Sequence, residues 1–169
     1  MSKHFVEEMT KARKRQELSQ EELSQRTFTS RSAIAGYESG RRNMSDELVR
    51  DVTQNLDDPT LYFSAWNHIA GDVSIPIMNG ENVDYFSSSM VFLVKKETKE
   101  ALDKVEDMPW HLPKSQRRTE DVESTVMELL DAAASMMNLV ACLCRENKIP
   151  MSRIFRKWQV SMKNRGYQQ

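Results

Sequence analysis

Apolar residues fall at helical spacing along almost the whole chain, and turn-forming residues cut that pattern into short pieces. Phe5, Met9 and Ala12 share one face of a helix predicted over 3–17. Ser19 followed by Glu22 three positions on is a capping box, so a second helix starts at Gln20 and buries Leu23. Thr27, Phe28 and Thr29 interrupt it. Ser30 then supplies a second N-cap. From Arg31 onward Ala33, Ile34 and Tyr37 line one buried face, which leaves Arg31, Ser32, Ala35 and Gly36 on the outer one. Gly40 is placed as the left-handed residue that ends the helix. Val49, Val52 and Leu56 form the buried stripe of a helix over 46–56, and Pro59 suits the first turn of the next. That helix carries Leu61, Tyr62, Trp66 and Ile69 and ends near Gly71.

The pattern lapses over 71–86, where Gly71, Pro76, Asn79 and Gly80 mark turns and predict an irregular linker packed on its neighbours. A helix follows from the serines at 87–89 to about Glu106, with Met90, Val91, Val94, Ala101, Leu102 and Val105 as its apolar positions. Pro109 and Pro113 place a second loop at 107–116. Thr119 caps the longest predicted helix, 119–147, with Glu120, Asp121 and Glu123 favoured at its N-terminus by the helix dipole. Between Ala132 and Cys144 only Ser135 and Asn138 are polar. A helix apolar on all sides must be surrounded, at the centre of a bundle or in a subunit interface. Pro150 opens a last helix to about Asn164, with Ile154, Phe155, Trp158 and Met162 predicted inward.

Two short helices joined by a tight turn, the second closing at a glycine and followed by Arg41 and Arg42, have the layout of a helix-turn-helix that lays its second helix in the DNA major groove. The motifs LSQEEL, SRSAI and YESGRRN across Leu18 to Asn43 resemble the Cro/repressor (Xre) family of such domains, over roughly residues 3–57. The resemblance implies a lambda-repressor-like fold of four or five helices. It implies that Gln20 contacts phosphate and braces the next residue in the groove. Arg31, Ser32, Ala35 and Gly36, behind the Ser30 cap, occupy base-reading positions, and Arg41, Arg42 and Asn43 touch the backbone. An arginine at Arg31 can contact guanine bidentately, worth about 1–3 kcal/mol of discrimination. Thr27 stands where the family places an aliphatic residue and Phe28 where it places glycine, so the build of the turn is open. It further implies a repressor of the kind carried by phages and mobile elements.

The net charge of −1 conceals a division. Residues 1–56 sum to +1, 57–113 to −6 and 114–169 to +4. The DNA-facing signal therefore rests on local placement, on Arg31, Arg41 and Arg42 with Lys11 or Lys14. So small a footprint predicts modest affinity per copy and a strong benefit from dimerisation. The charged amphipathic start reads as a helix rather than a signal peptide, and no apolar run looks long enough for a membrane span. Cys142 and Cys144 point apart on one helix and read as buried small hydrophobes in a reducing cytoplasm. The eleven methionines read as core packing. His4, His68 and His111 share no metal-ligand spacing. Seven basic residues against one acid in the last 25 read as a solvated face.

One acidic constellation remains. Glu97 and Glu100 form an i, i+3 pair on one helix, and Glu128 and Asp131 form another. An antiparallel hairpin would set Glu97 against Asp131 and Glu100 against Glu128, four carboxylates able to hold Mg²⁺ and a phosphate substrate. The arrangement is similar to that of the all-alpha NTP pyrophosphohydrolases, over residues 96–131, with Lys96 where that family has a further glutamate. A solvated helix face accounts for the same residues.

These readings combine into an all-α protein: a helix-turn-helix DNA-binding domain over 1–58, a connecting helix and linker over 59–86, and a helical dimerisation and regulatory bundle over 87–169. The expected function is dimeric, sequence-specific regulation, more often repression, at a palindromic operator on double-stranded DNA. No enzyme activity and no cofactor are expected, with the Mg²⁺ pyrophosphohydrolase as the alternative. An antirepressor protein or peptide is a further candidate partner, on the C-terminal bundle.

Overall fold

The structure, a computed structural model, describes residues 3–169; Met1 and Ser2 of the expected first domain lie outside the described residues. The described residues form eight α-helices and no strand. They are α1 (Lys3–Arg15), α2 (Gln20–Arg26), α3 (Arg31–Glu38), α4 (Asp46–Leu56), α5 (Pro59–Ala70), α6 (Ser87–Asp107), α7 (Thr119–Glu146) and α8 (Met151–Asn164), with a single 3-10 turn at Lys114–Gln116. The all-α reading and the N-terminal helix-turn-helix are therefore present. Thr119 is the first residue of α7 rather than its cap, and α6 starts behind Phe86 with no side-chain cap.

The chain divides into two compact units, one from the N-terminus to Pro76 together with Cys144–Gln169, the other Ile77–Leu143. This differs from the sequence division at both ends. In the first unit Leu61 and Ala65 of α5 join Phe5, Met9, Leu23, Ile34, Val49, Val52 and Leu56 in one core. Each large side chain so buried contributes roughly 1.5–3 kcal/mol, and α5 is thus the fifth helix of this unit rather than a connector. Asp58 fixes its start, accepting from Thr60 N at 3.0 Å and Leu61 N at 3.2 Å while Arg15 grips both carboxylate oxygens at 3.0 and 2.9 Å. Helix α8 also belongs here. Asp57, left-handed at the end of α4, accepts from Ser152 N at 3.1 Å and Ser152 Oγ at 2.8 Å, and Met151 is buried. Periodicity within α8 held no trace of a partner 95 residues upstream.

In the second unit the linker is pinned as expected: the fully buried Asn138 accepts from Met78 N at 3.0 Å and donates to Ala134 O at 2.8 Å. The 107–118 loop is held by Arg117, which donates to Trp110 O at 2.8 Å and to Leu112 O at 3.1 Å and stacks over the Trp110 ring. Helix α7 departs from expectation. Its small residues, Ala132, Ala134, Ser135, Ala141 and Cys142, are buried, whereas Val122, Val126, Leu129, Leu130, Met136 and Leu143 are exposed. Within its own unit the helix is not surrounded. By length and composition it is also apolar enough to cross a membrane, a property the sequence reading denied to every segment. Val91, Leu102 and Trp158, read as inward, are exposed as well, because no neighbour covers those sides. Both cysteines are buried and form no disulfide.

Candidate nucleic-acid interface

The capping box at the start of α2 forms as the sequence demands. Ser19 Oγ accepts from Glu22 N at 3.1 Å, and a Glu22 carboxylate oxygen accepts from Ser19 N at 2.7 Å. The bond from Ser19 N foremost, and then the Ser19 hydroxyl, hold the Glu22 carboxyl below its usual range. Leu23 anchors the helix in the core. Thr27 replaces an aliphatic residue without an orphaned hydroxyl, since its Oγ1 donates to Leu23 O at 2.9 Å.

The turn keeps the backbone that a glycine would serve. Phe28 has φ +50°, and Thr29 N donates back to Ser24 O at 2.9 Å. A non-glycine residue in that region costs about 1–2 kcal/mol. The Phe28 ring gains no packing in exchange, for it is 99% exposed. The departure from the family pattern thus changes the side chain at the tip of the motif and leaves its path intact.

Helix α3 begins at Ser30, whose Oγ accepts from Ala33 N at 3.1 Å and lies 3.0 Å from Ser32 Oγ. Arg31 and Ser32 are exposed on its first turn. At the other end Gly40 takes φ +71°, its N donates to Tyr37 O at 2.9 Å, and Arg42 N donates to Gly36 O at 3.1 Å. That last bond folds the chain back along the helix.

The fold-back corrects one assignment. Gly36 is buried, not open on the outer face. A Cβ there would meet Arg42 Cδ at 3.1 Å and Cγ at 3.3 Å. The Arg42 stem occupies the place of the missing side chain, so Gly36 serves by letting an arginine lie across α3. Ala35 remains half-buried, and Arg41, Arg42 and Asn43 are exposed, with Arg41 Nε donating to Ser39 Oγ at 2.9 Å.

A second feature escaped the sequence reading. Glu38, the last residue of α3, accepts from Arg13 Nε at 2.6 Å, from Arg13 Nη2 at 2.9 Å and from Gln20 Nε2 at 2.8 Å. Arg13 also donates to Leu18 O at 2.6 Å. Burial pushes the Glu38 carboxyl up, but the bonds from Arg13 and Gln20 and the charges of Arg13 and Lys14 outweigh it and hold it below its ordinary value. One carboxylate thereby locks α1, α2 and α3 together and fixes Gln20 at the start of α2. Glu38, with its side chain largely covered, lies one residue past Tyr37 on a face that periodicity assigns to solvent, so only its contacts reveal it. Lys11, an alternative phosphate contact, is engaged by Glu8 at 2.6 Å.

In the second unit Glu97, Glu128 and Asp131 offer carboxylate oxygens within 4.8 Å of one another. The expected partner of Glu128 is not among them; Glu100 lies 3.5 Å from Lys96 Nζ. Lys96 also stands 3.1 Å from Glu97 and itself titrates above its usual range, raised by its bond to Glu97.

No curated protein and no solved structure matches the chain. Residues 9–57, from the middle of α1 through α4, match the family model described as Helix-turn-helix. That segment is a helix-turn-helix domain of the kind that DNA-binding transcription regulators carry.

Proposed function

We propose that the chain is a cytoplasmic, sequence-specific transcriptional repressor that occupies a roughly palindromic operator as a homodimer and acts by binding rather than by catalysis. The resemblance of residues 18–43 to the Cro/repressor family points to a phage or mobile-element regulator. The reading is carried by one observation: Arg31 and Ser32 stand exposed on the first turn of an eight-residue helix held from behind by the Arg13–Glu38–Gln20 lock. Arg31 reads a base edge, Ser32 assists it, and Ala35 offers a methyl to thymine. Arg41, Arg42 and Asn43 anchor phosphates beside the groove. With so few polar base readers, DNA shape supplies part of the selectivity.

Selection of bound sequences from a random duplex pool tests this directly, since it reports site, symmetry and half-site spacing. Arg31→Ala is expected to relax selectivity at one base pair of each half-site. Arg42→Ala is expected to weaken all duplexes alike and to lower the salt slope by about one per copy. Equal effects from the two changes would remove the assignment of reader and anchor, and a pool that enriches no sequence would remove the regulator.

A second reading has the carboxylate trio in its favour. Glu97, Glu128 and Asp131 would hold a divalent cation, and the unit would then hydrolyse a nucleoside triphosphate to its monophosphate and pyrophosphate. Lys96 competes for Glu97 in that reading. Pyrophosphate release from dNTPs with Mg²⁺, abolished by Glu128→Gln, would establish it, and no turnover would dismiss it.

A further inference from the structure

Helix α7 is built inside out for a helix that serves only its own unit. A single-unit helix turns its large apolar side chains inward, but here the inward side is small and the outward side is large. Among the exposed residues one set is ordered, with Met127 and Leu130 outside it. Val122, Leu129, Met136 and Leu143 recur every seven positions. Val126, Ala133 and Val140 recur every seven between them, so the spacing alternates four and three across Val122 to Leu143. All but Val140, which is half-buried, are exposed. A 3.5-residue period carried by large apolar residues that the chain leaves uncovered is that of a seam facing another helix.

We infer that this stripe is a two-stranded parallel coiled-coil seam, and that its partner is α7 of a second copy of this chain. The inference deepens the dimeric reading above and rests on it for the need of a second copy. The occupant follows from the stripe itself. A heptad seam is complementary to its own repeat, and a parallel pair sets each residue against its counterpart. Val126 and Val140 take one core position, Leu129 and Leu143 the other, a β-branched and leucine alternation that favours two parallel strands. Ala133 departs from that alternation at the first position, and Val122 and Met136 at the second. At ordinary side-chain areas the exposed portions amount to roughly 500 Å² per copy, hence about 1,000 Å² in a pair, the threshold of a specific interface. Leu130 and Met137 flank the seam and widen its apolar floor. Glu120, Asp121 and Glu123 cluster at one end of the helix, where they bring charge into the first turn of any lipid-embedded arrangement.

The test uses the full chain. Light scattering on a sizing column is expected to report a dimer, and Leu129→Glu with Met136→Glu is expected to give a monomer of unchanged helical content. Should that variant lose its fold, Val126→Cys keeps the question open to measurement. It is expected to cross-link to itself under mild oxidation, whereas Met127→Cys, one position off the seam, is not, with the wild-type chain controlling for Cys142 and Cys144. A monomeric wild type, a double variant that stays dimeric, or cross-linking at Met127 rather than Val126 would overturn the seam. Flotation of the wild type with phosphatidylcholine–phosphatidylglycerol vesicles would overturn it by assigning the stripe to lipid. The duplex selection separates the two failures: a dimer through the seam that enriches no DNA sinks the regulator, and an operator found by a chain dimeric without the seam sinks this proposal.

Discussion

Replacement of Glu38 by glutamine removes one charge from the point where three helices meet. In the native chain its two carboxylate oxygens accept three bonds of 2.6 to 2.9 Å from Arg13 and Gln20, and the Arg13 and Glu38 side chains are 10% and 9% exposed. Breaking a buried, fully bonded ion pair costs about 3–5 kcal/mol because the surviving partner stays desolvated. The amide of glutamine still accepts from one donor, which recovers about 1 kcal/mol. A loss of about 2–4 kcal/mol is expected, and in a unit of roughly 100 residues that lowers the melting temperature by on the order of 10–20 °C. Thermal denaturation of the full chain followed by circular dichroism reads it. The pH dependence has a fixed sign. Glu38 titrates below its ordinary value of 4.5, so its contribution is complete above the ordinary carboxylate range and is lost as pH falls through the folded value. The gap between wild type and Glu38→Gln should therefore stay constant from neutral pH down to about 6 and close on further acidification. Arg13→Met combined with Glu38→Leu should be milder than the sum of the two single changes, since no lone charge remains. A Glu38→Gln melt within about 3 °C of the parent, against the shift this size of unit implies, would refute the lock.

Phe28→Gly relieves about 1–2 kcal/mol of left-handed strain and returns part of it through the entropy of the unfolded chain. A net gain of about 0.5–1 kcal/mol is expected as a higher urea midpoint at unchanged slope, and a lower midpoint would mean that the exposed ring has a partner in the folded chain. Gly36→Ala gains up to about 1 kcal/mol of helix propensity, and the flexible Arg42 stem, 3.1 Å from the new methyl, yields to it. Melting should therefore hold or rise while anisotropy with the selected duplex shows weaker binding, and undiminished affinity would dissociate Arg42 from phosphate contact. The salt slope of DNA binding tests the pairing of copies: with Arg41, Arg42 and Lys14 as the phosphate-bound cations, a single copy should show about −2 to −3 and a dimer about twice that. An equal slope for wild type and Leu129→Glu with Met136→Glu would show that one copy alone meets the phosphates.

Local features were legible in the sequence where a short span encodes them. Capping boxes need only Ser19 with Glu22, and a left-handed stop needs only Gly40, so α2 and α3 begin and end as the residues specify. Pro59 and Gly71 bracket α5 in the same way. Interactions between distant segments were not legible. Nothing near Glu38 announces Arg13, 25 residues earlier, and nothing near Asp57 announces Ser152. Gly36 misled because periodicity assigns a face but cannot say that a later arginine folds back over it. The acidic pairs were half legible: helical spacing brought Glu128 and Asp131 together and Glu97 joins them, whereas Glu100, on the same helix as Glu97, does not.

Helix α7 shows why the apolar pattern must be divided before it is interpreted. Taken whole, its composition demanded surroundings on every side. Its apolar residues in fact form two sets of different sizes. The small ones serve the chain's own fold, and most of the large ones keep a seven-residue rhythm that this fold leaves uncovered. Burial of a helix selects for size complementarity with whatever lies against it, so two sizes on opposite sides imply two partners. One of them is within the unit. The regular spacing of the other set fits a helix, and under the proposed homodimeric reading a second copy of this chain supplies one.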